Sequence, residues 1–122
     1  MYSAAVRDHF ANPRNTGSIE QPDGQARVDS PVHNDRVDLM IRVQDGRLAE
    51  IKYRVLGCVA AIASSSMTSV LATGLTLDEA LALTPEQVAE ALGGLPEGKL
   101  ACSVLAPEAL RLAIADYRAR QP

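Results

Sequence analysis

The sequence predicts an α+β domain in which a small antiparallel sheet of about three strands packs against several helices. Apolar and polar residues alternate along two neighbouring segments joined by Asp45-Gly46, the pattern of a half-buried hairpin. On either side of that hairpin, capping residues, helix-stopping glycines and apolar residues at helical spacing mark short helices. The 122 residues fit one domain spanning 1–122 and suffice to bury a core.

The elements follow in order. Residues 3–11 read as an amphipathic helix capped by Ser3, with Val6 and Phe10 on one face and Asn12-Pro13 ending it. His9, near the end of that helix, reads as a cation favoured by the helix dipole. Turn-formers fill Asn15 to Gly24, a strand is expected at Gln25 to Asp29, and Ser30-Pro31 interrupts it. His33, Asn34 and Asp35 form a polar turn. In the hairpin, Val37, Leu39, Ile41 and Val43 face inward on the first strand, and Ala49, Ile51, Tyr53 and Val55 on the second. Cys58 closes the second strand just after Gly57, and Val59 to Thr73, rich in small residues, predicts a tightly packed helix ended by Gly74. Thr76-Leu77-Asp78-Glu79 and Thr84-Pro85-Glu86-Gln87 are capping boxes that start two short helices. After a loop over Gly93 to Gly98 and Cys102, apolar residues Leu110, Ala113, Ile114 and Tyr117 define a closing helix that Pro107 kinks or restarts.

Composition excludes several classes of function. Charged residues make up 22% of the chain and the net charge is -3, leaving no surplus of cations for a nucleic-acid partner. Charged or polar residues interrupt every apolar run well short of the roughly 18 residues a membrane span needs. Arg7, Asp8 and His9 occupy the place of a signal peptide's apolar core, so the expected location is the cytoplasm. In such a reducing compartment the two cysteines read as buried thiols or metal ligands in preference to a disulfide.

Cys58 falls where a strand gives way to a helix, and Cys102 falls just before another. Both thiols are therefore expected to feel the positive end of a helix dipole, which favours the metal-binding thiolate. His33 and Asp35 offer an imidazole and a carboxylate from one turn, both usable as ligands for zinc or iron. Local context alone is equally compatible with two small buried hydrophobes and a solvated turn histidine. Ser64-Ser65-Ser66 offers hydroxyls, but no base is identifiable beside them, and no nucleotide-binding loop is present. The chain does not read as an enzyme.

Three segments, VRDHFANPRNTG from Val6, LGCVAAIASSSM from Leu56 and LACSVLAPEALRLAIADY from Leu100, together resemble the U-type iron-sulfur cluster assembly scaffolds, IscU and the amino-terminal part of NifU. The resemblance spans nearly the whole chain and implies a small antiparallel sheet covered by helices. It also implies that iron, and sulfur from a cysteine desulfurase, are assembled into a nascent [2Fe-2S] cluster that passes to recipient proteins.

Residue by residue, Cys58 and Cys102 match the second and third cysteines of the family. The first is replaced, with His33 in its place in Val32-His33-Asn34-Asp35, and Asp35 matches the family aspartate. Ala101 stands where a histidine commonly precedes the third cysteine. The implied ligand set is Cys58, Cys102, His33 and Asp35, in which an imidazole tends to raise a cluster's reduction potential. The same groups suit tetrahedral zinc. Leu95, Pro96 and Lys99 keep part of a Leu-Pro-Pro-Val-Lys segment recognised by Hsp70-type chaperones, but Glu97-Gly98 replaces its centre, which weighs against that partner. The readings that follow are a cluster scaffold or carrier, a zinc-binding sulfur-handling accessory protein, and a degenerate interaction module that regulates a desulfurase without metal.

Overall fold

A computed structural model describes residues 1–31 and 33–122; Val32 lies outside the described residues. Its elements are α1 (Ala4–Ala11), β1 (Gly24–Asp29), β2 (Arg36–Gln44), β3 (Arg47–Leu56), α2 (Val59–Ala72), α3 (Leu77–Leu81), α4 (Pro85–Ala91), a 3₁₀ turn (Leu100–Ser103) and α5 (Leu105–Arg120). The strands form one antiparallel sheet in the order β1-β2-β3, an α+β arrangement as the sequence predicts.

The hairpin forms where Asp45 and Gly46 take φ of 55° and 74°, the left-handed pair that a tight two-residue turn demands. One detail differs from the alternation. Arg42 pairs with Glu50 but Val43 pairs with Leu48, so Ala49 is an extra, exposed residue in a bulge. The bulge shifts the inward phase by one position, and Leu48, fully buried, takes the core place expected of Ala49. Val37, Leu39, Ile41, Leu48, Ile51 and Tyr53 then form one apolar face, against which Ala109, Leu110, Ala113 and Ile114 of α5 pack. The approach is close enough that a Cβ on Gly24 would overlap the Ala113 carbonyl. On the opposite face, exposed cross-strand ion pairs join Arg27 to Asp38 at 2.6 Å and Arg36 to Asp29 at 2.7 Å.

The second layer is built on α2, whose Ala60, Ala61, Ala63, Ser64, Ser65, Ser66, Thr68, Ser69 and Ala72 are all buried. Small side chains let it contact α1, α4, α5 and β3 at once. Two of its hydroxyls are satisfied along its own backbone: Ser65 donates to the Ala61 carbonyl at 2.8 Å and Thr68 to the Ser64 carbonyl at 2.7 Å. Both predicted capping boxes are present, Thr76 with Glu79 and Thr84 with Gln87, with Pro85 at the start of α4. Pro107 sits in the first turn of α5, where no intrahelical partner is needed for its missing N–H, so it starts that helix and does not kink it. Among the described residues no helix is long and apolar enough to cross a membrane.

On α1, Ser3 accepts from the Val6 N–H at 3.1 Å and donates to the Leu92 carbonyl, which fastens the helix to the end of α4. The buried face is Val6 with His9, whereas Phe10 is exposed. His9 is thus not the exposed cation expected near a helix end. Its Nδ1 lies 2.7 Å from the Ser66 Oγ, which also accepts the Arg14 N–H at 2.9 Å. Ser66 Oγ thus links the His9 imidazole to the backbone of Arg14. A base does stand beside the serine run, contrary to the sequence reading, but the pair is buried and serves to join α1 to α2.

Burial, followed by the nearby Arg14 charge, pushes the His9 pKa below its ordinary 6.5, with Asp8 opposing weakly. Below pH 6.5 the unfolded chain takes up a proton that the folded chain resists, so stability is lost as pH falls through that value. Melting temperature should accordingly drop as pH falls below 6.5, and His9→Gln should flatten that drop; an equal slope in the variant would assign the acid sensitivity elsewhere.

Candidate functional site

The site forms where the ends of two strands meet the start of α2. Ser30 N–H donates to the Asp35 carbonyl at 2.9 Å, closing the turn between β1 and β2 and setting Asp35 at the head of β2. Arg36 pairs with Leu56, so the residue before β2 and the residue after β3 are neighbours across the sheet end. That second residue is Gly57, and a Cβ there would lie 2.9 Å from the Asp35 carboxyl carbon and 2.9 Å from the Ala61 Cβ. The absence of a side chain at Gly57 is what admits the Asp35 carboxylate.

Cys58 follows as the N-cap residue of α2, half-buried and with no side-chain capping bond. Cys102 arrives from the other side. It belongs to the 3₁₀ turn, where its N–H donates to the Lys99 carbonyl at 3.0 Å and its own carbonyl accepts from Ser64 Oγ at 3.3 Å. The two sulfurs lie 3.4 Å apart, both as free thiols. The ligand atoms of Asp35, Cys58 and Cys102 all lie within 4.8 Å of one another. Asp35 and Cys102 are buried, and the Asp35 carboxylate has no hydrogen-bond or ion-pair partner among the described residues.

Cys58 stands at the start of a helix as the sequence predicts, whereas Cys102 does not. The 3₁₀ turn separates Cys102 from α5, whose N-cap is Val104. Burial, then the contact with Cys58, then the Asp35 charge push the Cys102 thiol up to about 11, against a weaker pull from Lys99. Without a cation in the site Cys102 is a thiol, not the expected thiolate.

His33 is exposed and outside the group of three, although it shares a surface depression with Asp35, Arg36 and Leu56. Its backbone N–H donates to Ser30 Oγ at 3.1 Å. Leu95 is half-buried against Ala60, Ala61 and Cys102, and Lys99 N–H closes a turn onto the Pro96 carbonyl at 3.0 Å, with Gly98 at φ 84°. Leu95 to Lys99 is therefore a turn folded beside Cys102. Two features escaped the sequence reading. Gly57 carries no role in the sequence pattern, and Leu56, Leu100 and Val104 form exposed apolar points at 64%, 45% and 45% exposure, each two residues from a site cysteine.

The fold and this cluster define a small α+β domain with two thiols and a carboxylate gathered at one sheet end. The NifU-like N terminal domain family matches residues 1–122, and the chain belongs to that family. It is 54% identical over 117 residues to the iron-sulfur cluster assembly scaffold protein IscU 1 of Archaeoglobus fulgidus, covering 96% of this chain and 76% of that protein. It is 41% identical over 124 residues to the scaffold protein IscU of Escherichia coli, covering 98% and 96%. Among solved structures, the N-terminal part of a nitrogen-fixing NifU-like protein from Brucella abortus superposes with a TM-score of 0.80 over 98% of this chain and 95% of that one, at 21% identity. That likeness supports the fold.

Gly57→Ala should cost about 1–3 kcal/mol in urea unfolding, because the new methyl must displace Asp35 or Ala61; an unchanged midpoint would mean that the sheet end relaxes freely. Alkylation with iodoacetamide at pH 8 should modify Cys58 quickly and Cys102 slowly, given their exposure and the raised Cys102 pKa. Peptide mapping that found Cys102 labelled first would contradict this geometry.

Proposed function

We propose that this chain is a scaffold that holds a nascent iron-sulfur unit, or iron on its way to one, as cargo between Cys58, Cys102 and Asp35. The observation that supports the reading is the convergence of the Asp35 carboxylate and the Cys58 and Cys102 sulfurs, brought from three separate chain segments to within 4.8 Å of one another. Two adjacent thiols become thiolates when a metal takes their protons, and a carboxylate beside them adds a third anionic donor. His33 is the proposed fourth ligand, reaching the cargo from the exposed side of the depression it shares with Asp35.

Two thiolates, one carboxylate and one imidazole bind less tightly than four thiolates, which suits a group that is built and then given away. A cysteine desulfurase is the proposed sulfur donor and iron-sulfur proteins the recipients, with Leu56, Leu100 and Val104 as apolar docking points around the site. The chain turns over no small-molecule substrate in this reading, and it works in the cytoplasm as the single domain 1–122. An Hsp70-type chaperone is not included, because Leu95 is half-buried beside Cys102 and the segment is folded into a turn.

Anaerobic reconstitution with ferrous iron and desulfurase-generated sulfide should give a coloured protein with matched iron and sulfide. The charge-transfer absorption should vanish in Cys58→Ala and Cys102→Ala, weaken in Asp35→Asn and shift in His33→Ala. A colourless protein that instead retains stoichiometric zinc, the other metal this donor set suits, would replace the scaffold with a zinc-binding accessory protein. A chain that holds neither metal would overturn both.

A further inference from the structure

Cys58 and Cys102 are the chain's two cysteines, and their sulfurs are already in van der Waals contact at 3.4 Å. A disulfide bond is about 2.05 Å long, so joining them requires a further approach of roughly 1.4 Å. Their exposures differ in a useful way. Cys58 is half-buried at the mouth of the site, while Cys102 lies beneath it, 5% exposed and packed against Ala60 and Ala61. An incoming sulfur electrophile therefore meets Cys58 first, and the nearest thiol to any product on Cys58 is Cys102.

We propose that this pair is a two-electron reductant that converts persulfide sulfur into sulfide. This inference rests on the scaffold reading for its use, since a cluster is built from sulfide whereas the transferable sulfur of a persulfide lies two electrons above it. In the first step the Cys58 thiolate attacks the outer sulfur of a persulfide RSSH. The Cys58–sulfur bond forms, the donor's S–S bond breaks, and RS⁻ leaves to take up a proton. In the second step the Cys102 sulfur attacks the Cys58 sulfur. The bond between the two cysteines forms, the bond to the terminal sulfur breaks, and hydrosulfide departs and takes the Cys102 proton.

The net change is RSSH plus two thiols giving RSH, one disulfide and H₂S, with the cysteines oxidised by two electrons and the transferred sulfur reduced by two. The two sulfurs are already in contact, and well-oriented neighbours act at effective concentrations of ~10⁵ M or more, which favours attack from Cys102 over attack by an external thiol.

The consequence is an order of events. The reaction feeding this site is one that generates a persulfide, and the reaction following it is a dithiol–disulfide exchange that returns two electrons to the pair. Only then are both thiolates free for metal, so sulfide production and cargo holding alternate on the same two sulfurs.

The test uses reduced, metal-free protein under anaerobic conditions with one equivalent of glutathione persulfide, read by trapped sulfide and intact mass. About one sulfide per chain is expected, together with loss of two hydrogens and a mapped Cys58–Cys102 disulfide. Cys102→Ser should keep an added sulfur on Cys58 and release less than roughly a tenth as much sulfide in the same interval, and Cys58→Ser should gain no sulfur. Wild-type protein that stores the added sulfur without forming the disulfide, or a Cys102→Ser protein that releases sulfide as fast as wild type, would overturn the proposal. The wild-type disulfide map does not depend on how well either variant folds. No iron is present, so failure here leaves the reconstitution result standing, and failed reconstitution with normal sulfide release would remove the scaffold reading alone.

Discussion

The structure depends on the close packing of α2, a helix buried almost all round and built from alanine, serine and threonine. Large side chains would hold its neighbours at ordinary interhelical distance, whereas small ones let α1, α5, β3 and the 3₁₀ turn all contact it. The chemical cost of a serine-rich buried helix is met locally, since these hydroxyls bond to carbonyls one turn back or to the elements packed against them. The hydroxyl of Ser66 joins two neighbouring segments, pairing with the His9 imidazole and accepting the backbone N–H of Arg14. One helix thus sets the spacing of the other layers and carries Cys58 at its N-terminus.

The sheet contributes a different constraint, which is register. Because Arg36 lies opposite Leu56, the turn before β2 and the turn after β3 are forced together at one end. Asp35 and Gly57 meet there, and Gly57 has no side chain to keep the carboxylate out. A carboxylate, a half-exposed thiol and a buried thiol come from three separate chain segments, yet each position follows from backbone pairing or helix packing.

Much of the fold was legible because its signals are local. Asp45-Gly46, the two capping boxes and the alternation over Val37 to Val43 each specify structure over a few residues. Where the reading failed, the deciding interaction was distant in sequence. The bulge that exposes Ala49 depends on pairing with β2, and the burial of His9 in preference to Phe10 depends on Ser66, 57 residues away. At the site, the three segments and their cysteines could be read through family resemblance. The raised pKa of Cys102, the contact between the sulfurs and the exposed position of His33 could not, because they arise only after α2, the 3₁₀ turn and the sheet end are assembled.

The hydrogen bond from Ser64 to the Cys102 carbonyl ties the 3₁₀ turn to the helix that bears Cys58. Both cysteines are consequently supported by one helix, while Asp35 is held at the sheet end by the backbone bond from Ser30. A change in how the sheet end seats against α2 would therefore alter the distance from the carboxylate to the sulfurs and leave the backbones of the two cysteines tied together.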